Sequence, residues 1–252
     1  MMIENAFLIT TLAASTTILG GLITLFFKKD NSKIISLSLA FSAGIMIYLS
    51  FMEILPKGFN HLNNSGVSLF FGLSSFLLGI LLIMIIDKIT SKYSHSNISS
   101  IEKIGILSML LITLHNFPEG MAVYSVAMES LNISWPLVLA IGIHNIPEGI
   151  VIAAPIYFAT GNKKKALIYT SLSALAEPIG GFFGYYFFKF LFHDLTLGII
   201  FCFIAGIMIF LSIDQLLPEA RKNGDHHLVG YASVAGMFFM AISLILLTGG
   251  LK

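Results

Sequence analysis

The amino-acid sequence predicts an all-α, polytopic membrane protein of eight transmembrane helices, and three observations carry that prediction. The chain is 56% hydrophobic and only 11% charged, whereas a water-soluble domain carries roughly 25% charged residues. Apolar runs of about 20 residues, the length that crosses a hydrocarbon core, recur along its whole length between short polar breaks. Lysine and arginine concentrate in every second break, the asymmetry expected of loops on the cytoplasmic side.

The spans read from these breaks cover about 6–27, 34–56, 66–87, 104–128, 135–159, 164–188, 195–218 and 228–250. Several breaks carry turn formers, among them Asn63-Asn64-Ser65-Gly66 and Gly161-Asn162. All Lys and Arg other than Lys57, Lys189 and Lys252 fall in the first, third, fifth and seventh loops. Both termini are therefore expected outside, with the four basic loops in the cytoplasm. The longest loop, about 88–103, is polar and Ser/Lys-rich and reads as flexible. It divides the chain without making two soluble domains, so residues 1–252 form a single transmembrane unit.

Composition also excludes several classes. The one cysteine, Cys202, sits in an apolar run, which rules out a disulfide framework or a Cys-rich metal site. A net charge of +1 argues against nucleic acid as a partner. No basic residue precedes Lys28, so the first apolar run reads as a spanning helix entering from outside, not as a secretory signal.

The chemistry lies in a duplicated motif. Span four contains His115-Asn116-Phe117-Pro118-Glu119-Gly120 and span five His144-Asn145-Ile146-Pro147-Glu148-Gly149. Successive spans run in opposite directions, so the copies are related by an inverted repeat, an arrangement that places carrier sites near the bilayer midplane. Positions i and i+4 share a helix face, which turns His115 with Glu119, and His144 with Glu148, toward the same place. Each asparagine lies about 100° further round, within reach of a second ion. Pro118 and Pro147 withhold an N–H from the preceding turn and are expected to open the helix there. Span six adds Glu177 beside Pro178.

A carboxylate at mid-membrane costs about 2.5–3.5 kcal/mol on insertion scales, and no Lys or Arg lies between Lys103 and Lys163 to compensate. A divalent cation or protons must supply the positive charge. Imidazole with carboxylate suits zinc, iron, manganese, cobalt or cadmium better than magnesium or calcium. Glu53 and Asp214, each shortly before a proline in spans two and seven, read equally as entrance and exit stations or as helix ends anchored at the interface. His95 reads as a solvated loop histidine, and the pair His226-His227, in the last cytoplasmic loop, as weak evidence for metal contact.

The paired His-Asn-x-Pro-Glu-Gly motifs, Ala176-Glu177-Pro178-Ile179-Gly180 and Leu216-Leu217-Pro218-Glu219-Ala220 resemble the ZIP family of zinc/iron permeases over essentially the whole chain, and its bacterial zinc-uptake branch in particular. The resemblance implies eight spans grouped three, two and three, and uptake of zinc, or of iron, manganese, cobalt or cadmium, across the plasma membrane into the cytosol. It implies a binuclear site: His115, Glu119 and Glu148 in one shell with His144 close by, and Asn116, Asn145, Glu119, Glu148 and Glu177 in the other. It further implies an elevator-like shift of four central helices and a homodimer. The chain departs from the family's pattern in having only His95 in the loop between spans three and four and no long extracellular domain.

Two other classes compete. An intramembrane metal-dependent hydrolase needs three protein ligands, an open position and a general base, yet the sequence has no His-Glu-x-x-His and spreads its acids symmetrically. A proton-linked carrier without metal is the other alternative. The chain therefore reads as a carrier and not an enzyme, with lipid and divalent metal as its partners, the metal being cargo and not a cofactor.

Overall fold

The computed structural model describes residues 2–27, 32–92, 99–129, 131–184, 186 and 193–247, and every regular element among them is helical. In chain order these are α1 (Met2–Thr24), α2 (Ser32–Leu49), α3 (Leu55–Asn64), α4 (Leu69–Lys92), α5 (Ser100–Glu129), α6 (Leu131–Thr160), α7 (Lys163–Ile179), α8 (Asp194–Phe210), α9 (Leu217–Asn223) and α10 (His226–Leu247). Short π-helical turns at Ser50–Ile54 and Leu211–Leu216 join α2 to α3 and α8 to α9, and a third, Gly180–Gly184, prolongs α7.

Seven helical stretches among the described residues are both long and apolar enough to cross a membrane, including the continuous rods Ser32–Asn64 and Asp194–Lys222. α5 has the length, at 30 residues, but its polar His115–Glu119 stretch dilutes its apolarity. α4 and α10 bury only a minority of their residues. Phe70, Leu78, Phe238 and Ile242 stand on their exposed faces, a surface that hydrocarbon solvates better than water does.

Two expectations about the polar breaks are corrected. The segment 88–103 is not all loop, because α4 continues to Lys92 and α5 begins at Ser100; His95 lies outside the described residues. His226 and His227 belong to the first turn of α10 and not to a loop. Asp225, just before them, accepts hydrogen bonds from the His227 and Leu228 N–H groups and caps that helix. The expected turn formers close their helices as their chemistry dictates. Gly66 takes φ +71°, while its N–H bonds the Asn63 carbonyl and that of Val67 bonds Leu62, the paired pattern of a glycine C-cap. Gly161, at φ +67°, bonds the Tyr157 carbonyl, and Asn162 then caps α7 by accepting from the Lys165 N–H.

The inverted repeat extends well beyond the His-Asn-x-Pro-Glu-Gly motifs. Ala43-Gly44-Ile45-Met46-Ile47 in α2 recurs as Ala205-Gly206-Ile207-Met208-Ile209 in α8, followed in both by Leu-Ser and then Leu-Pro. Ser50 bonds the Met46 carbonyl and Ser212 the Met208 carbonyl, four residues back in each case. Pro56 and Pro218 cannot donate to the turn before them, and there the N–H of Leu55 reaches back to Ser50 and that of Leu217 to Ser212, giving the π turns. The same glycines set the packing. A Cβ at Gly44 would strike the Ser233 carbonyl of α10 and one at Gly236 the Phe41 carbonyl of α2. A Cβ at Gly206 would strike the Phe76 carbonyl of α4 and one at Gly79 the Phe203 carbonyl of α8. The α2–α10 and α8–α4 pairs are thus copies of one glycine-mediated contact, the close backbone approach that holds helices together where no water can be expelled.

The four remaining long helices repeat the device. α1 packs chiefly on α6, and α5 on both α6 and α7. Gly120 of α5 abuts the Glu177 carbonyl and Gly180 the Phe117 carbonyl; Gly149 of α6 abuts the Thr17 carbonyl and Gly20 the Ile146 carbonyl. These contacts fix the heights of the two motifs against α7 and α1 respectively.

Candidate metal centre

The duplicated motifs meet between α5, α6, α7 and α1. Asn116, Asn145 and Glu177 are fully buried, and His115 and Glu148 nearly so. His115 Nε2 lies 3.7 Å from Glu148 Oε1, linking the histidine of the first copy to the glutamate of the second. Asn145 Nδ2 donates to Glu177 Oε2 at 2.9 Å, bringing span six to span five. Glu119 and Glu148 are the carboxylates whose charges act on Glu177. Five of the seven expected side chains are therefore drawn together across three helices.

Asn116 connects differently. Its Nδ2 donates to the Ser173 carbonyl of α7 at 3.3 Å, and Asn145 Nδ2 makes the matching bond to the Ala13 carbonyl of α1, also at 3.3 Å. Asn116 donates to the framework, Asn145 divides its donors between the framework and Glu177, and both leave their oxygens over. Asn116 Oδ1, Asn145 Oδ1 and Glu177 Oε1 are all buried and make no hydrogen bond. A buried polar atom without a partner costs about 1–3 kcal/mol, and these three, all acceptors, would be satisfied by a water, a proton or a cation.

The helix containing each motif is not broken. α5 and α6 run through Pro118 and Pro147, so the expected opening reduces to one missing N–H each, opposite the carbonyls of Leu114 and Ile143. Beyond Pro178 the change is larger, since α7 passes into the π turn Gly180–Gly184.

The side chain of His144 lies outside the described residues. Among those described, no three His, Cys, Asp or Glu side chains converge closely enough to hold an ion. Glu53 and Asp214 do not join the cluster. Glu53 pairs with Lys57 at 2.6 Å, and exposed Asp214 accepts from the neighbouring Gln215 amide. They are not symmetry mates either: aligned on Pro56 and Pro218, Glu53 matches Gln215 and Asp214 matches Met52. Reading the sequence for motifs missed the part of α1, whose Ala13 carbonyl holds Asn145 and whose Gly20-Gly21 repeats the Gly180-Gly181 that follow α7. The repeated glycine pair was the signal that could have revealed it.

Fold and centre together define a polytopic helical membrane protein with an acidic and amide-rich polar centre buried inside its bundle. More particularly, the chain belongs to the ZIP family: the family profile described as ZIP Zinc transporter matches residues 5–103 and 94–244, as the motifs led us to expect. It is 41% identical over 271 residues to Zinc transporter ZupT of Clostridium perfringens, covering 96% of this chain and 95% of that protein. It is 42% identical over 262 residues to Zinc transporter ZupT of Streptococcus mutans, covering 96% and 97%. The protein of the same name from Campylobacter jejuni is 39% identical over 279 residues, covering 96% of each.

Proposed function

We propose that this chain takes up divalent transition-metal ions, zinc first, across the plasma membrane into the cytosol. The observation that carries the reading is the cluster of buried Glu148, Glu177, Asn116, Asn145 and His115 with half-buried Glu119. Its amide donors are taken up by the framework and by Glu177, three oxygens are left without partners, and no Lys or Arg of α5 or α6 stands in their interior to balance them. The names of the relatives, each a zinc transporter over nearly its full length, support zinc as the cargo.

In this reading the ion exchanges water for oxygen and imidazole ligands at a binuclear site. His115, Glu119 and Glu148, with His144, form one shell; Asn116, Asn145, Glu119, Glu148 and Glu177 form the other. Iron, manganese, cobalt and cadmium use the same donor types, and affinity order alone does not choose among them. The two bodies of the fold suit alternating access. α1, α5, α6 and α7 pack on one another around the centre, while α2 with α10 and α4 with α8 form the flanking pairs. A slide of the first group against the second would carry the site between the two faces, in a homodimer whose flanking pairs stay fixed.

The test is zinc influx into proteoliposomes holding a trapped fluorescent zinc indicator, comparing the native chain with Glu119→Ala and His144→Ala. Saturable influx that is lost with Glu119 supports the proposal. Native protein that is folded and binds zinc but passes none would sink it.

A further inference from the structure

Thr17 occupies in α1 the place that Glu177 occupies in α7. Three matched pairs of contacts establish the equivalence independently. Gly149 of the second motif abuts the Thr17 carbonyl as Gly120 of the first abuts that of Glu177. Three residues on, Gly20 abuts Ile146 as Gly180 abuts Phe117, the two variable positions of the motifs. Four residues back, the Ala13 carbonyl accepts from Asn145 as the Ser173 carbonyl accepts from Asn116, both at 3.3 Å. Residue 17 is therefore the pseudo-two-fold counterpart of residue 177 about the polar centre.

The Thr17 hydroxyl, like those of buried Ser108 and Ser173, makes no hydrogen bond. Buried Thr10, Thr24, Ser50, Thr170, Ser212 and Ser233 each bond the carbonyl four residues back, the ordinary way a helix absorbs a hydroxyl in an apolar setting. Thr17 is fully buried and its Oγ1 makes no hydrogen bond. The carbonyl it would use, that of Ala13, already receives Asn145. Like Glu177 Oε1, the Thr17 oxygen is buried and left over at the same height of the bundle.

We propose that Thr17 Oγ1 is an oxygen ligand of the transported cation, supplied by α1 where the pseudo-symmetry of the bundle supplies Glu177 from α7. The assignment rests on reading the centre as the transport site. It gives the substitution of a carboxylate by a hydroxyl a meaning: the ion meets three acidic groups instead of four, a ligand set from which it can still be released. A hydroxyl is also a hard donor, so it favours zinc over the softer cadmium ion.

The experiment measures zinc and cadmium binding to the purified full chain, and zinc uptake by proteoliposomes, for Thr17→Val, Thr17→Ser, Thr17→Cys and, as a reference, Glu177→Gln. Thr17→Val keeps shape but removes the oxygen. It is expected to weaken zinc binding and raise the zinc KM roughly threefold to tenfold, the size of one polar contact, with kcat and metal-free thermal stability little changed. Thr17→Ser restores most of that loss, and Thr17→Cys shifts preference toward cadmium, which a packing role would not do. Wild-type affinity in Thr17→Val together with unchanged selectivity in Thr17→Cys overturns the assignment while leaving the centre intact. Should Thr17→Val fail to fold, the cadmium preference of Thr17→Cys decides alone. Wild-type binding and uptake in Glu177→Gln would instead overturn the reading of the whole centre, and Thr17 with it.

Discussion

Asn145 holds the Glu177 carboxylate at 2.9 Å, with both side chains fully buried in the bundle. The same amide donates to the Ala13 carbonyl, so one side chain links α6 to α7 and to α1. Asn116, its counterpart, is hydrogen-bonded to a backbone carbonyl instead. The two copies of one motif are therefore unequal in what they hold.

That inequality predicts an order of effects. A hydrogen bond to a charged group contributes about 1.5–3 kcal/mol, a neutral one about 0.5–1.5 kcal/mol. Asn145→Ala is expected to lower zinc kcat/KM by roughly tenfold to a hundredfold, and Asn116→Ala by less. Initial uptake rates across a zinc series decide it. A larger loss in Asn116→Ala would mean that Glu177 does not depend on Asn145 for its position.

The glycines of the interfaces should be unequal too. Gly120→Ala and Gly180→Ala drive a methyl into backbone of the neighbouring helix, where relaxation costs typically about 1–3 kcal/mol. Gly230, in α10, meets nothing within 4 Å, and Gly230→Ala should gain up to about 1 kcal/mol from helix propensity. Thermal unfolding in detergent is expected to show the first two lowered and the third unchanged or raised. Equal midpoints would contradict the close contacts of α5 with α7.

Zinc should stabilise the folded chain by mass action, by about 2.7 kcal/mol at a hundredfold excess over its dissociation constant. A chelator is expected to reverse the shift in the native protein. Glu148→Ala should show little shift to reverse. A variant that is stabilised as strongly as the native chain would remove Glu148 from the ligand set.

Asp225 gives the bundle a pH-dependent helix end. The Leu228 N–H above all, and then the His227 N–H and the charges of His227 and His226, hold its carboxyl below the ordinary value of 3.8 against a smaller opposing effect of burial. A group depressed in the folded state stabilises above its unfolded pKa and loses that contribution as pH falls through the folded one. Asp225→Ala should therefore lower the thermal midpoint at neutral pH, and the gap to the native chain should narrow as the pH falls below about 3.8 and close only below the depressed folded-state value. A gap that persists in acid would assign the effect to something other than the ionised cap.

Much of the centre was legible because its residues are costly where they stand. A His, an Asn and a Glu repeated with one spacing inside two apolar runs have no packing rationale, and Glu177 beside Pro178 repeats the signal once more. The turn glycines Gly66 and Gly161 were legible for a similar reason, since only a residue without a Cβ takes their positive φ cheaply. Span limits were less so. Charged residues at the ends of α4 and α5 looked like loop, yet Lys103 pairs with Asp87 and Lys165 with Glu102 in the folded chain, and such pairs let helices run on past the apolar run.

The sequence by itself thus determined an all-helical membrane chain, the position of its inverted motifs and the sign of the charge they would attract, because transfer of polar groups into lipid is penalised residue by residue. Only the tertiary structure decided which donors the motifs keep and which they surrender. Whether Asn145 turns its amide to Glu177 or its oxygen to an ion, and whether Thr17 bonds its own helix or is left over, depends on where the Ala13 carbonyl lies. That position is set by Gly20 and Gly149, which let the backbones of α1 and α6 touch. Contacts between residues more than a hundred positions apart carry no periodic trace, so they had to be seen in the fold.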